Sequence, residues 1–263
     1  MHDFLLIGGI TLGSLLLFAG FIHLCTHLGK FGKCITNFLS KAPGLDLVIA
    51  YCGVAPIVVG PILGGWIGLG ASICAQILAV VIWTVLHGLA HPKARRGPRI
   101  YKVHNEMVGP FRHYFAVWIT SFALPAFFLV RIAELLVYPF LIWLVHFPKY
   151  KHSDWVRAYR YRFKDLVGHD LIWCLYCDWM TGVWSLGTEM LRNVESFWCP
   201  IRFDSNEKNN NCAQDFPDIF GGWVDPDASM EDVVETLKQH YGEVEINAWF
   251  GHPARMTVEG EEQ

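Results

Sequence analysis

Apolar residues run almost unbroken from Phe4 to Cys25, again from Leu45 to His91, and once more from Tyr114 to Phe147. A helix needs about 20 apolar residues to cross a bilayer core, so the first run predicts one transmembrane helix. The second is long enough for two. Gly60, Pro61, Gly64 and Gly65 interrupt it, which predicts a pair of helices joined by a tight hairpin. The third exceeds one ordinary crossing and is broken by Pro125, Arg131 and Glu134. It reads as a broken hydrophobic hairpin that enters the membrane and returns. After residue 164 the pattern changes. Leu166 to Arg192 reads as a helix rich in Trp, Leu and Met, and Ser205 to Asn211 as a loop. Ser229-Met-Glu-Asp232 has capping-box spacing and opens a helix from Met230 to His240 that Gly242 stops. Val244–Phe250 and Ala254–Val258 alternate like short strands around Gly251-His252-Pro253. The expected fold is therefore an α-helical integral membrane bundle, three transmembrane helices plus a broken hairpin, over residues 1–147. A basic juxtamembrane segment, 148–164, leads to a small C-terminal α+β domain, 165–263.

Composition sharpens this division. The chain is 53% hydrophobic and 17% charged, against about 25% charged in an average soluble domain, which excludes disorder, collagen-like repeats and a small disulfide-stapled secreted fold. Met1 to Lys164 holds 16 Lys and Arg against 5 Asp and Glu, a net of +11. Asp165 to Gln263 holds 5 against 19, a net of −14. Met1-His2-Asp3 is no positive leader and no small-x-small site precedes a polar start, so the first helix is expected to be retained. Lys and Arg mark the cytoplasmic side. Loops 26–44, 92–113 and 149–164 are all basic, which predicts an outside N-terminus and a cytoplasmic acidic domain. Basic residues interleave with Tyr159, Tyr161 and Phe163, a pattern that suits anionic headgroups beside a bilayer better than RNA, so no nucleic-acid partner is expected. Arg131 and Glu134 share a helix face, as a structural ion pair stitching the hairpin to its neighbours would.

Eight of the twelve histidines fall at the expected inner face: His23, His27, His87, His91, His104, His113, His146 and His152. His23/His27 and His87/His91 each have the i,i+4 spacing that puts two imidazoles one turn apart on one face, a spacing used for metal ligands. The alternative is that half-polar rings simply settle at membrane interfaces. The stretch His87-Gly-Leu-Ala-His91, a basic linker and Arg99-Ile-Tyr-Lys-Val-His104-Asn105-Glu106 resembles the histidine-box region of the fatty acid hydroxylase/sterol desaturase superfamily. The resemblance implies a membrane di-iron enzyme with His87, His91 and His104 at ligand positions. Tyr101 and Asn105 depart from the family's H-x-x-H-H box, and its last box has no counterpart.

Spacing and resemblance together give a membrane-bound, metal-dependent oxidoreductase of lipid metabolism, with iron as cofactor and a lipid or other hydrophobic substrate. Its ligands would be His23, His27, His87, His91 and His104, with His113 and His146 in reserve, and a cytoplasmic protein would donate electrons. Two readings stand beside it. Single histidines from facing helices could ligate haem b. Or the chain is a membrane anchor within a larger respiratory, photosynthetic or transport assembly, its acidic domain docking a basic partner. Cys174-x-x-Cys177, Cys199 and Cys212 could hold zinc or an iron–sulfur cluster, but buried, inert cysteines fit the helical context better.

Overall fold

Helix is the only regular secondary structure among the described residues, 1–202, 219–247 and 249, of the computed structural model. Three stretches are long and apolar enough to cross a membrane: His2–Cys25, Gly44–Ala90 and Pro110–Val145. Only 11%, 22% and 17% of their most apolar parts are buried within the chain, so lipid or other helices must cover the rest. On this architecture the chain is an integral membrane protein. It divides into two compact units, Met1–Phe127 with His152–Val183, and Phe128–Lys151 with Trp184–Gln263.

In the first unit α1 (His2–Cys25) lies against α4 (Ala55–Ala90). Gly68, Ala71, Ala75 and Ala79 form the buried stripe of α4, and Gly8 of α1 faces Ala71. Small residues let the two backbones approach closely, which is how apolar helices gain packing where lipid removes the hydrophobic incentive. Between them come α2 (Gly29–Leu39) and α3 (Gly44–Ile49), which runs through a π-turn, Ala50–Val54, into α4.

The expected hairpin is present. Gly64 (φ −145°, ψ 22°) and Gly65 (φ 55°, ψ −142°) leave helical geometry, and only glycine takes the second pair without strain. The returning arm passes so close that a Cβ at Gly68 would strike the Gly60 carbonyl. Lower down, Gln76 Nε2 donates to the carbonyls of Cys52 (2.7 Å) and Gly53 (2.9 Å). Those carbonyls sit in the π-turn, where the widened ladder disturbs the regular backbone pairing, and Gln76 supplies a donor across the hairpin.

The chain continues through α5 (Pro92–Arg96), α6 (Ile100–Val108) and α7 (Pro110–Thr120) to α8 (Leu124–Leu136) and α9 (Tyr138–Val145). A short α10 (His152–Trp155) precedes the long α11 (Gly168–Trp198), whose first half belongs to the first unit and second half to the other. Around α10 the chain crosses 40–42, with Ala42 N–H donating to Val156 O (2.9 Å) and Ala158 N–H to Ser40 O (2.7 Å). Trp179 Nε1 of α11 donates to Asp46 of α3 at 3.0 Å.

In the second unit the Arg131–Glu134 pair is a closed contact of 2.6 Å with both side chains 3% exposed or less. Tyr150, buried beside Tyr138, accepts from Asn193 Nδ2 of α11 at 2.5 Å, and Phe147 meets Phe197 edge-on at 5.4 Å. The capping box at Ser229 and Asp232 forms as its spacing predicts and starts α12 (Met230–Tyr241).

The expected C-terminal α+β domain is corrected: no β-strand exists among the described residues. Ile201 and Val224 form an isolated bridge only. Alternation at 244–247 does not make a strand, and at its end Asn247 is engaged elsewhere. Asn247 N–H donates to His146 O (2.8 Å) and its Nδ2 to Val145 O (2.6 Å), satisfying orphan carbonyls at the end of α9. The second expected strand, 254–258, the loop 205–211 and Cys212 lie outside the described residues.

The hairpin contacts give a direct expectation. Gln76→Leu removes both donors and should lower stability by about 1–2 kcal/mol, read as an earlier midpoint when the detergent-solubilised protein is titrated with sodium dodecyl sulfate. Gly68→Leu should be worse, because the arms cannot close. An unchanged midpoint in both would show that this contact does not hold the hairpin.

Candidate functional site

The last turns of α1 and α4 bring four of the expected histidines together. The rings of His87 and His91 lie 4.4 Å apart, His23 and His27 5.2 Å, and His23 stands edge-on to His91 at 5.9 Å and to His87 at 6.2 Å. The i,i+4 spacing and the α1–α4 packing thus place the rings as the sequence indicates. One ring nitrogen of His87 and one of His91, however, are engaged with backbone. His87 Nδ1 accepts from Gly168 N–H at 3.2 Å, which puts its proton on Nε2, and His91 Nδ1 lies 3.0 Å from His87 O. Trp83, one turn earlier, stacks on His87 at 4.7 Å.

A second group forms where α6, α7 and the start of α11 meet. His104 and His113 are 5.1 Å apart, and His113 is 6.0 Å from His169. Tyr101 and Tyr114 stand edge-on to His169 at 5.8 and 5.1 Å. The buried His113 turns Nδ1 to Asn105 Oδ1 at 2.8 Å. His146 belongs to the other unit, where it holds the left-handed position after α9 (φ 58°).

Between the two groups sits Asp170. Its carboxylate pairs with Arg99 Nε at 3.1 Å, both side chains 5% exposed, and accepts from the amides of Ile100 and Tyr101, each at 3.1 Å. Those amides are the first of α6, so Asp170 caps that helix from a distance while Arg99 also donates to Val167 O just before α11. Burial alone would raise the Asp170 pKa, but His169, the Arg99 guanidinium and the two amides outweigh it and hold the carboxyl below its ordinary range.

Among the described residues no group of three or more His, Cys, Asp or Glu side chains is arranged to hold a metal ion. The expected di-iron histidine-box site, with iron as cofactor and oxidoreductase chemistry built on it, is therefore corrected. His87 and His91 belong to one group and His104 to another, and the Gly168 N–H on His87 Nδ1 leaves the proton on Nε2, where a ligand would need a lone pair. Haem b is corrected with it: among the described residues no metal-binding arrangement stands, and the rings pack against one another and against Trp83. Cys174 and Cys177 are half-buried in α11, and burial pushes the Cys174 thiol up, away from thiolate character. Cys199 is exposed.

No family model matches this chain, and no curated protein or solved structure matches it. His169 and Asp170 were not singled out by the sequence pattern, and Asn105 entered it only as a departure from the histidine box. The legible signal was a first-turn acid in α11 and a buried-type basic residue, Arg99, whose partnership only the fold reveals.

The clamp sets a stability expectation. Asp170→Asn leaves Arg99 buried without its counter-charge, a loss of about 3–5 kcal/mol, measurable as a shift in detergent unfolding. The double variant Arg99→Met with Asp170→Leu should recover part only, because the Ile100 and Tyr101 amides still lose their acceptor. The pH dependence has a definite sign. A carboxyl lowered in the folded state stabilises fully above the ordinary value of 3.8 and loses that contribution as pH falls through the lowered one. Wild type and Asp170→Asn should therefore converge in stability at strongly acidic pH; a constant difference down to pH 2 contradicts the clamp.

Proposed function

We propose that this chain is a membrane anchor subunit that holds a basic protein partner against its acidic C-terminal portion on the cytoplasmic side. The observation that carries this reading is the segregation of charge. Residues 165–263 hold 19 acids against 5 bases, next to a membrane part with the opposite sign. Within the described residues, α12 and its continuation expose Glu231, Asp232, Glu235, Glu243 and Glu245 around exposed Met230 and Val234. Exposed apolar side chains among five acids, with Lys238 the one exposed base on α12, steer and orient a partner of the opposite sign.

Orientation follows from the basic loops. Lys30, Lys33 and Lys41 after α1, the run from Lys93 to Arg112, and the run from Lys149 to Lys164 all favour the cytoplasmic face.

The exposed native Cys199 after α11 tests the orientation. It should resist a membrane-impermeant maleimide in intact cells and react once the membrane is opened. Labelling of Cys199 from outside rejects the topology. For docking, gentle solubilisation should yield a complex that Glu231→Lys with Glu235→Lys, or 0.5 M salt, dissociates. Recovery of wild type as a free monomer at low salt would sink the anchor reading.

A further inference from the structure

The two helices that follow membrane spans share one layout. In α2, Phe31, Cys34 and Phe38 fall at i, i+3 and i+7 and are exposed, Phe31 at 69% and Phe38 at 47%. Lys30, Lys33 and Asn37 form a second exposed row beside them, while Gly32, Ile35, Thr36 and Leu39 are covered or half-covered. In α6 the same spacing exposes Ile100, Val103 and Met107, at 48%, 53% and 73%. Lys102 and Glu106 flank that row, and Tyr101 and Asn105 point inward. In α2 the apolar row lies beside a basic one, and in α6 it follows the exposed cations of α5; an exposed apolar row with neighbouring cations next to a membrane span is the design of a helix lying in the headgroup layer.

We propose that α2 and α6, with α5 between α4 and α6, seat on the headgroup layer of an anionic lipid membrane. The apolar rows enter the acyl boundary and the cations meet lipid phosphate. Charge complementarity identifies the occupant. Lys30, Lys33, Lys93, Arg95, Arg96 and Lys102 are all exposed, and Glu106 is the one acidic residue in 26–43 and 91–113. Continuity with the spans fixes the level. α2 begins at Gly29 directly after α1 ends at Cys25, and the aliphatic stem of Arg95 lies over Gly88 in the last turn of α4. Arg99 is not part of this surface, since Asp170 holds it buried. The inference rests on membrane embedding and not on the partner docking proposed above, so either can fail alone.

The test uses the full chain in phosphatidylcholine vesicles with trace spin-labelled phosphatidylglycerol or spin-labelled phosphatidylcholine. The motionally restricted fraction of each label reports lipid held at the protein. At low salt phosphatidylglycerol should associate more strongly than phosphatidylcholine, and 1 M salt should bring the two close together because it shortens screening to about 3 Å. Lys93→Gln, Arg95→Gln, Arg96→Gln and Lys102→Gln combined should lower the preference by at least about fivefold, the effect of a single such charge. Restricted phosphatidylcholine should stay unchanged in that variant, which shows that the spans remain inserted. Equal association of the two lipids with wild type, or full preference in the variant, overturns the proposal. So would salt-sensitive binding of a single-stranded RNA oligonucleotide to the phosphatidylcholine-reconstituted protein that the same variant abolishes.

Discussion

A buried guanidinium cannot remain without a counter-charge, and Arg99 meets that constraint through Asp170. The consequence spreads through the first unit. Arg99 also takes the Val167 carbonyl, and Asp170 takes the first two amides of α6, so the start of α6 and the start of α11 are tied at four points. One residue before His169 and Asp170, Gly168 donates its amide to His87 at the end of α4. A short stretch, 167–170, thereby joins α4, α6 and α11. Buried pairs of this kind add little net stability over an apolar isostere, and their best-attested use is to fix register. Here the register decides that His169 reaches the His104/His113 group and not the group on α4.

The membrane part was legible because its determinants are local. Run length identifies the spans, and the Gly60–Gly65 interruption locates the bend, since a positive φ at Gly65 is a single-residue property. The Ser229/Asp232 capping box and the Arg131/Glu134 pair are also short-range, three residues apart, and both formed. Alternation in 244–250 was no guide. A strand exists only with a partner ladder, and Asn247 instead gives its amide and side chain to the end of α9. Period two is a statement about side chains; whether the backbone groups are free to pair is decided elsewhere in the chain.

The histidines show a finer limit. Spacing of i,i+4 correctly implied ring proximity, and packing of α1 on α4 brought His23 beside His87 and His91. Ligation needs more than proximity, because lone pairs must converge on one point. Direction is set by χ angles and by what the other ring nitrogen binds, and at His87 the Gly168 amide takes the Nδ1 lone pair and leaves the proton on Nε2. That contact could not be read from spacing. His169 escaped notice for a related reason: it has no i,i+4 partner of its own type and enters its group through the Arg99–Asp170 clamp.

Arg99 also separates two uses of positive charge that a sequence count merges. The positive-inside rule counts Lys and Arg within a short loop, so Arg99 contributes to orientation wherever its side chain ends. Attraction to anionic headgroups acts within a Debye length and depends on exposure, so a guanidinium that is 5% exposed and neutralised by Asp170 contributes nothing to it. The loop from 92 to 113 is therefore more basic as a topological signal than as a lipid surface. What makes the surface is the arrangement of the rest. α5 presents Lys93, Arg95 and Arg96 outward, and the clamp that removes Arg99 from the surface holds the start of α6 so that Ile100, Val103 and Met107 face away from the protein.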